Sequence, residues 1–457
     1  LGLLLYPWTK QGTGHCPCEI RDLPNFIGAA TRRVKLQQKT RRILYRSYKH
    51  FSESEFTNDI CNAPFHVAEV FEDAEDMAWF TSTLINDIVN EHAPFKSKII
   101  KKESVPYMNS KLRKALFSRN MARNKYKNFG KQFWEENRRK RNLVVSIRKK
   151  SLSEYFSKNC ANKDKSFWKT ISPFFSNKSV RNGNNIILSD GENIVTDTKK
   201  VADIFNDFFV NVASTIGFQD DITTTHEAIM KHNQHRSVRK IRGNFGHKKN
   251  SFVFTQVSSD VIRMKLKHIN IRKATGYDNI PGKLLRIAHV PLSAPFTHLI
   301  NTCIMQNVFP SNMKCAELTP LFKKKDNLCK GNYRPVSILT TISKLYESTI
   351  NDQLLGHFSD IFDTLLCAFR KGYSCQSLLL KCIDDWKVAI DNNKNVGALF
   401  MDLSKAFDCL PHSLLISKLH AYGLTLSACK LISSYLSDRK QRVKLGGVKS
   451  DWTYLTK

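Results

Sequence analysis

Acidic residues are scarce beside basic ones: the 457-residue chain has 40 Asp and Glu against 72 Lys and Arg, a formal net charge of +32. Such a field favours polyanions, and nucleic acid is the usual partner of a chain this basic. Hydrophobic residues make up 41%, enough for two or three packed domains, yet no apolar run approaches the length of a membrane span. The apolar opening LGLLLYPW has no basic leader and no small-residue cleavage site, so it is not expected to act as a signal peptide. Of twelve cysteines only Cys16 and Cys18 lie close, and no second cysteine pair or spaced His pair completes a zinc site. They read as reduced thiols of an intracellular protein, with no disulfide-linked partner and no membrane expected. A chain that starts at Leu1 rather than Met is expected to be a fragment.

What is present divides the chain. Residues 1–40 show no period and receive no assignment. From Val67 to Val89 apolar side chains recur at helical spacing with an acidic opposite face, which predicts a surface helix before Pro94. Between Asn109 and Lys150 fifteen Lys or Arg stand against Glu135 and Glu136 alone. Leu112, Leu116, Ala122, Tyr126, Phe129 and Phe133 give that segment an apolar stripe, and the basic remainder is expected to touch nucleic-acid phosphates rather than bases. IILSDGENIV predicts a hairpin turning at Asp190-Gly191, and VADIFNDFFVNVA a helix capped by Asp197 or Thr198. Residues 41–222 thus form a mostly helical basic region. The polar, His-rich residues 223–250 read as an exposed linker, and 251–457 as a second unit.

The second unit carries the chemistry. In NIRKATGYDNIPGKLLR, Lys273, Gly276, Asp278 and Pro281 share a turn; glycine lets backbone approach a ligand and Lys273 can meet a phosphate, although a turn with a stray lysine accounts for the same residues. A short strand over Ala316–Phe322 runs into Lys323, Lys324 and Lys325. Arg334, before Pro335, is held extended and suits a bidentate grip on phosphate. Arg370 and Lys371 are expected at a helix start, another anion-friendly position. In NVGALFMDLSKAFDCLPH the apolar run Val396–Met401 predicts a strand covered on both faces, ending at Asp402. A carboxylate there either begins a turn or caps the next helix, or must be paired or bound to a metal.

Four segments, KATGYDNIP, NYRPVSILTTISKLYE, AFRKGYSC and LFMDLSKAFDCLPH, occur in that order. Together they resemble the reverse transcriptase of non-LTR (LINE-type) retrotransposons, in particular the jockey-like group, over Phe252 to Lys457. The basic helices from about Arg32 to Ile216 look like the segment that joins endonuclease to polymerase in those proteins. The resemblance implies an α+β right-hand fold, here fingers and the first part of the palm, that copies RNA into DNA on an RNA template from a DNA primer with dNTPs. It implies that Asp402 is the first metal-binding aspartate, that the Leu403 carbonyl helps hold a second Mg²⁺, and that two such ions sit roughly 4 Å apart. Phe407 would lie under the sugar of the incoming nucleotide and reject a 2′-hydroxyl. Lys323 and Arg334 would grip the triphosphate, and Lys273, Arg370 and Lys371 would contact nucleic acid.

The family's Pro-Gln-Gly loop and Ala-Asp-Asp hairpin are not found before DWTYLTK, and Asp384-Asp385 sits on a predicted helix face instead. No Ser-Asp-His ending of an endonuclease is found either. The chain is therefore expected to be a polymerase fragment inactive alone, the alternative being a truncated relic that only binds nucleic acid. Its expected location is the nucleus and cytoplasm.

Overall fold

The computed structural model describes residues 41–100, 107–160, 186–191, 193–212, 224–245, 252–323, 326–363, 365–401 and 410–455. The protein mixes helix and sheet. Its elements are β1 (Arg41–Arg46), α1 (Glu53–Asn62), α2 (Ala74–His92), β2 (Phe95–Ile100), α3 (Ser110–Phe129), α4 (Trp134–Cys160), β3 (Leu188–Asp190), β4 (Asn193–Val195), α5 (Thr198–Val210), α6 (Thr225–Lys231), α7 (Arg236–Phe245) and α8 (Ser259–Lys267). They continue with α9 (Gly282–Ile287), α10 (Ser293–Gln306), β5 (Cys315–Phe322), β6 (Tyr333–Ile338), α11 (Thr341–Phe358), α12 (Cys375–Asp391), α13 (His412–Ala421), α14 (Leu426–Leu436), β7 (Lys440–Leu445), β8 (Val448–Lys449) and β9 (Thr453–Tyr454). No helix among the described residues is long and apolar enough to cross a membrane.

Two cores matter for the site. The larger joins Phe56, Ile60, Met77 and Ile85 of α1 and α2 to Phe296, Leu299 and Cys303 of α10 and Tyr346 of α11. Residues on both sides of 223–250 therefore bury each other. The smaller packs Val201, Ala202, Phe205 and Phe209 of α5 under the sheet residues Ala316, Leu318, Tyr333, Val443 and Leu445. Asp197 caps α5 by accepting from the Lys200 amide, as its place before the apolar period predicts.

The sheet runs β6-β5-β7-β8, with β9 also on β7. β5 and β6 are antiparallel, while β5 and β7 are parallel, as a long helical crossover allows. Pro320 pairs opposite Pro335, which a central strand would not tolerate, because proline donates no ladder hydrogen bond. The β5–β7 pairing stops at Leu318↔Val443, so Pro320 faces an open edge on that side.

Several expectations are corrected. The helix expected from Val67 is a 3₁₀ turn, Phe65–Val70, followed by α2, because the Asp73 side chain accepts from the Glu75 amide and starts a new helix there. The single basic stripe is two helices, broken at Gly130 with φ 85° and packed on each other through Leu112, Ala115 and Val144. Residues 223–250 are not all exposed linker: Thr224 and Glu227 form a capping box for α6, and Val238 and Ile241 of α7 bury against Ala421. Short apolar spacings between the charges carried that signal.

The strand expected over Val396–Met401 is absent; the segment is irregular and solvent-facing, with Leu399 85% and Met401 83% exposed. An apolar run becomes a buried strand only beside a ladder partner, and no described strand pairs with it. Cys16, Cys18, Lys324, Lys325, Asp402, Leu403 and Phe407 lie outside the described residues. The hairpin does form, β3 against β4 with Gly191 at φ 63°, and Asp384 and Asp385 are exposed on α12.

Candidate nucleic-acid interface

Strand alternation sends Ala316, Leu318, Val443 and Leu445 down onto α5, so their neighbours face the other way. The ladder registers Leu321 with Arg334, Glu317 with Arg442, and Lys444 with Lys449. The outward face therefore carries Arg334 from β6, Lys440, Arg442 and Lys444 from β7, and Lys449 from β8. Lys323 extends it one step, because its amide still donates to the Asn332 carbonyl at 3.0 Å. Glu317 is the acid that β5 contributes to this face.

Glu317 is nearly sealed, its side chain 2% exposed. Arg442 Nη2 reaches Oε1 at 2.6 Å and its Nε at 3.1 Å; Lys444 Nζ donates to Oε2 at 2.7 Å, and Lys449 Nζ lies 3.1 Å from Oε1. Burial pushes the Glu317 carboxyl upward, and the hydrogen bonds from Lys444 and Arg442 outweigh it, so the group sits below the usual carboxylate range. A buried carboxylate without these donors would carry the full cost of desolvation. The Arg442 guanidinium lies 4.2 Å over the Trp452 ring, and Lys440 Nζ 4.5 Å over that of Tyr454. Two of the β7 cations are thus each stacked on a ring from the chain that follows β8.

The KATGYDNIP turn abuts the Glu317 end of this face. A Cβ on Gly276 would stand 2.6 Å from the Thr340 amide nitrogen, two residues past Ile338, which pairs with Glu317. Tyr277 donates to the Asn312 carbonyl at 2.7 Å and meets Trp452 edge-on at 5.7 Å. From the other side Arg46 donates to the Asn279 carbonyl at 2.9 Å and to the Ala93 carbonyl at 2.9 Å, tying β1 to the turn. Lys273 is exposed here. It helps depress the neighbouring Lys344 ammonium, which burial lowers first.

Burial also lifts the Asp278 carboxyl to about 6, against Lys344 and Arg46, which pull it down. With a folded pKa above its ordinary value, Asp278 keeps its proton in the fold after the unfolded chain has lost it. Its contribution is therefore highest below about pH 4, falls between about 4 and 6, and is flat above. Asp278→Asn retains an oxygen for the Ile280 amide. Near pH 7 this variant is expected to be more stable than the parent by on the order of 2 kcal/mol, the difference vanishing near pH 4. Urea melts of both chains across that range check this; a constant difference would show that Asp278 does not titrate in the window.

Of the residues singled out by sequence, the structure brings Lys323 and Arg334 onto one face and Lys273 to its border. Arg370 and Lys371 lie apart, on the turn before α12, whose cap is Ser374. They are not at the helix start, because the intervening Gly372 takes φ 87°. Arg370 donates to the Asp363 carbonyl at 3.2 Å and lies 4.6 Å over the Tyr373 ring, which leaves Lys371 the exposed cation of the pair. Glu317, Arg442, Lys444 and Lys449 went unrecognised in the sequence, although the alternation in KQRVKL is a strand signal with one basic face.

No three His, Cys, Asp or Glu side chains among the described residues could hold a metal ion. Asp402 and the Leu403 carbonyl offer oxygen donors, the type that suits a hard cation such as Mg²⁺.

Residues 322–456 match the family described as "Reverse transcriptase (RNA-dependent DNA polymerase)", a span that includes β6, β7, β8 and Asp402. The chain is 27% identical over 189 residues to "Probable RNA-directed DNA polymerase from transposon BS" of Drosophila melanogaster, covering 39% of this chain and 20% of that protein. It is 22% identical over 204 residues to "RNA-directed DNA polymerase from mobile element jockey" of Drosophila funebris, 44% of this chain and 22% of that protein. A third relative, at 26% over 37% of this chain and 17% of its own length, is "Retrovirus-related Pol polyprotein from type-1 retrotransposable element R1" of Bradysia coprophila. The chain spans about a fifth of the length of these curated relatives.

Proposed function

We propose that this chain carries the fingers and first part of the palm of an RNA-directed DNA polymerase of a non-LTR retrotransposon, acting in the nucleus and cytoplasm. The reading places RNA template, DNA primer and dNTPs against the outward sheet face. The observation that carries it is the coincidence of that basic face with the span matched by the reverse transcriptase family. Lys323, just past β5, and Arg334 on β6, whose register partner Leu321 lies two residues before Lys323, would hold the triphosphate: Lys323 as a point charge, Arg334 as a planar fork. Mg²⁺ held by Asp402 and the Leu403 carbonyl would neutralise the charge that builds up on the transferred phosphate. The α3–α4 hairpin would add sequence-independent attraction to RNA.

Equilibrium binding tests this. The chain is expected to bind single-stranded RNA with an affinity that falls steeply with salt and depends little on sequence. Lys323→Ala combined with Arg334→Ala is expected to weaken dNTP binding about tenfold or more, about 1.4 kcal/mol per decade. A flat salt response, or unchanged dNTP affinity in the double variant, would contradict the assignment.

A further inference from the structure

The triphosphate reading uses Lys323 and Arg334 and leaves the Glu317 cluster without a task. Three cations converge on one buried carboxylate, leaving two positive charges in excess. The lysines that supply part of the excess are not sealed: Lys444 and Lys449 are each 34% exposed, against 2% for Glu317. Each ammonium has three protons to donate, and its contact with Glu317 uses one of them.

If the cluster served only to tie β5 to β7, Arg442 would have sufficed, since it alone donates twice to Glu317. The two lysines stand directly opposite each other in the β7–β8 ladder. Like charges so placed repel, and the carboxylate beneath them offsets that repulsion while fixing where the ammonium groups stand. Along β7, Lys440, Arg442 and Lys444 repeat every second residue, roughly 6.6 Å apart, with Trp452 and Tyr454 beside them. A basic track flanked by exposed rings is the arrangement that follows a single nucleic-acid strand, phosphates on the cations and bases on the rings.

We propose that Lys444 and Lys449, held side by side by the Glu317 carboxylate, form a second phosphate site on the sheet face. It takes the backbone of a nucleic-acid strand, whereas the Lys323–Arg334 end takes the nucleotide. Glu317 is a positioning residue in this site and touches no ligand. The proposal rests on the polymerase reading above and adds to it a division of the face into two phosphate sites.

Fluorescence anisotropy with a short labelled single-stranded RNA, and calorimetry with a dNTP, separate strand phosphate from free triphosphate. Lys444→Gln with Lys449→Gln is expected to lower RNA affinity about tenfold and to reduce the slope of log affinity against log salt by about 1 to 2, with dNTP binding unchanged. Glu317→Gln keeps the shape but removes the negative charge. Simple charge counting says this variant binds RNA more tightly; a positioning role says it binds more weakly, because the released lysines splay apart. Thermal melts accompany each variant, and the lysine pair, being partly exposed, decides the question should Glu317→Gln fail to fold.

RNA affinity and salt slope unchanged in the lysine pair would overturn the second site, and tighter RNA binding by a folded Glu317→Gln would overturn the positioning role. In either case the Lys323–Arg334 variant would still lose dNTP affinity if the polymerase reading holds. Lost dNTP affinity in the lysine pair would merge the two sites into one and likewise overturn the division. Absence of RNA binding by the parent chain would overturn this proposal together with the reading beneath it.

Discussion

In a polymerase of the relatives' length that carries this sequence, Asp402→Asn is expected to lower the rate of DNA synthesis by several orders of magnitude while RNA affinity stays the same. Asparagine matches aspartate in size, so the chain should fold; what is lost is the negative charge assigned to the divalent ions, and each tenfold in rate corresponds to about 1.4 kcal/mol of barrier. Phe407 separates two roles in the same assay. If its ring fills the space of a 2′-hydroxyl, Phe407→Ala leaves deoxynucleotide use largely intact and admits ribonucleotides. If it is instead core, truncation costs about 3 to 5 kcal/mol and lowers incorporation of both sugars alike. Primer extension on an RNA template with dNTPs or rNTPs, beside melting curves, measures both. An Asp402→Asn enzyme at parental rate would sink the catalytic assignment.

Gly276→Ala is expected to be the most damaging change of a single methyl group on the sheet face. The added carbon would run into the Leu339–Thr340 backbone, 2.6 Å from Thr340 N, 2.7 Å from Thr340 Cα and 2.8 Å from Leu339 C. Backbone atoms cannot rotate away as a side chain can, so the cost should reach about 3 kcal/mol, the upper part of the overpacking range. Gly276 also sets how the KATGYDNIP turn meets the strand end, so the variant should shift Tyr277 off Trp452 and loosen Arg442. Gly356 is the control: a Cβ there meets nothing within 4 Å, and Gly356→Ala within its helix should be neutral or stabilising. Urea unfolding of the two variants compares them directly. Equal stabilities would mean that the turn can retreat from Thr340 without penalty.

The elements near the site were legible to different degrees, for reasons that lie in how each is held. The strand ending in Lys323, the extended Arg334 and the cap of α5 follow from local rules, proline geometry and side-chain capping, which act within a few residues. The 3₁₀ turn before α2, the break at Gly130 and the two helices within 223–250 were missed where one residue, Asp73, Gly130 or Glu227, interrupts or starts an element against a weak apolar period. Val396–Met401 failed in the opposite sense: six uncharged residues have the composition of a buried strand, but burial requires a neighbour to pair with, and composition does not supply one.

The sequence by itself determined the chemistry available: an excess of cations that favours a polyanion, four ordered segments that resemble a reverse transcriptase, and candidate residues Lys323 and Arg334 on neighbouring short elements. Charge and short-range backbone restriction are properties of residues and their immediate neighbours, so they can be read in order along the chain. Only the tertiary structure decided that Glu317 on β5 meets Arg442, Lys444 and Lys449 from more than a hundred residues away. It also decided that Arg46, from the far end of the described chain, ties down the turn beside them. Those contacts depend on strand register and helix packing, which bring distant residues together through burial of the apolar face beneath, and no local pattern in the sequence records which cation will find which carboxylate.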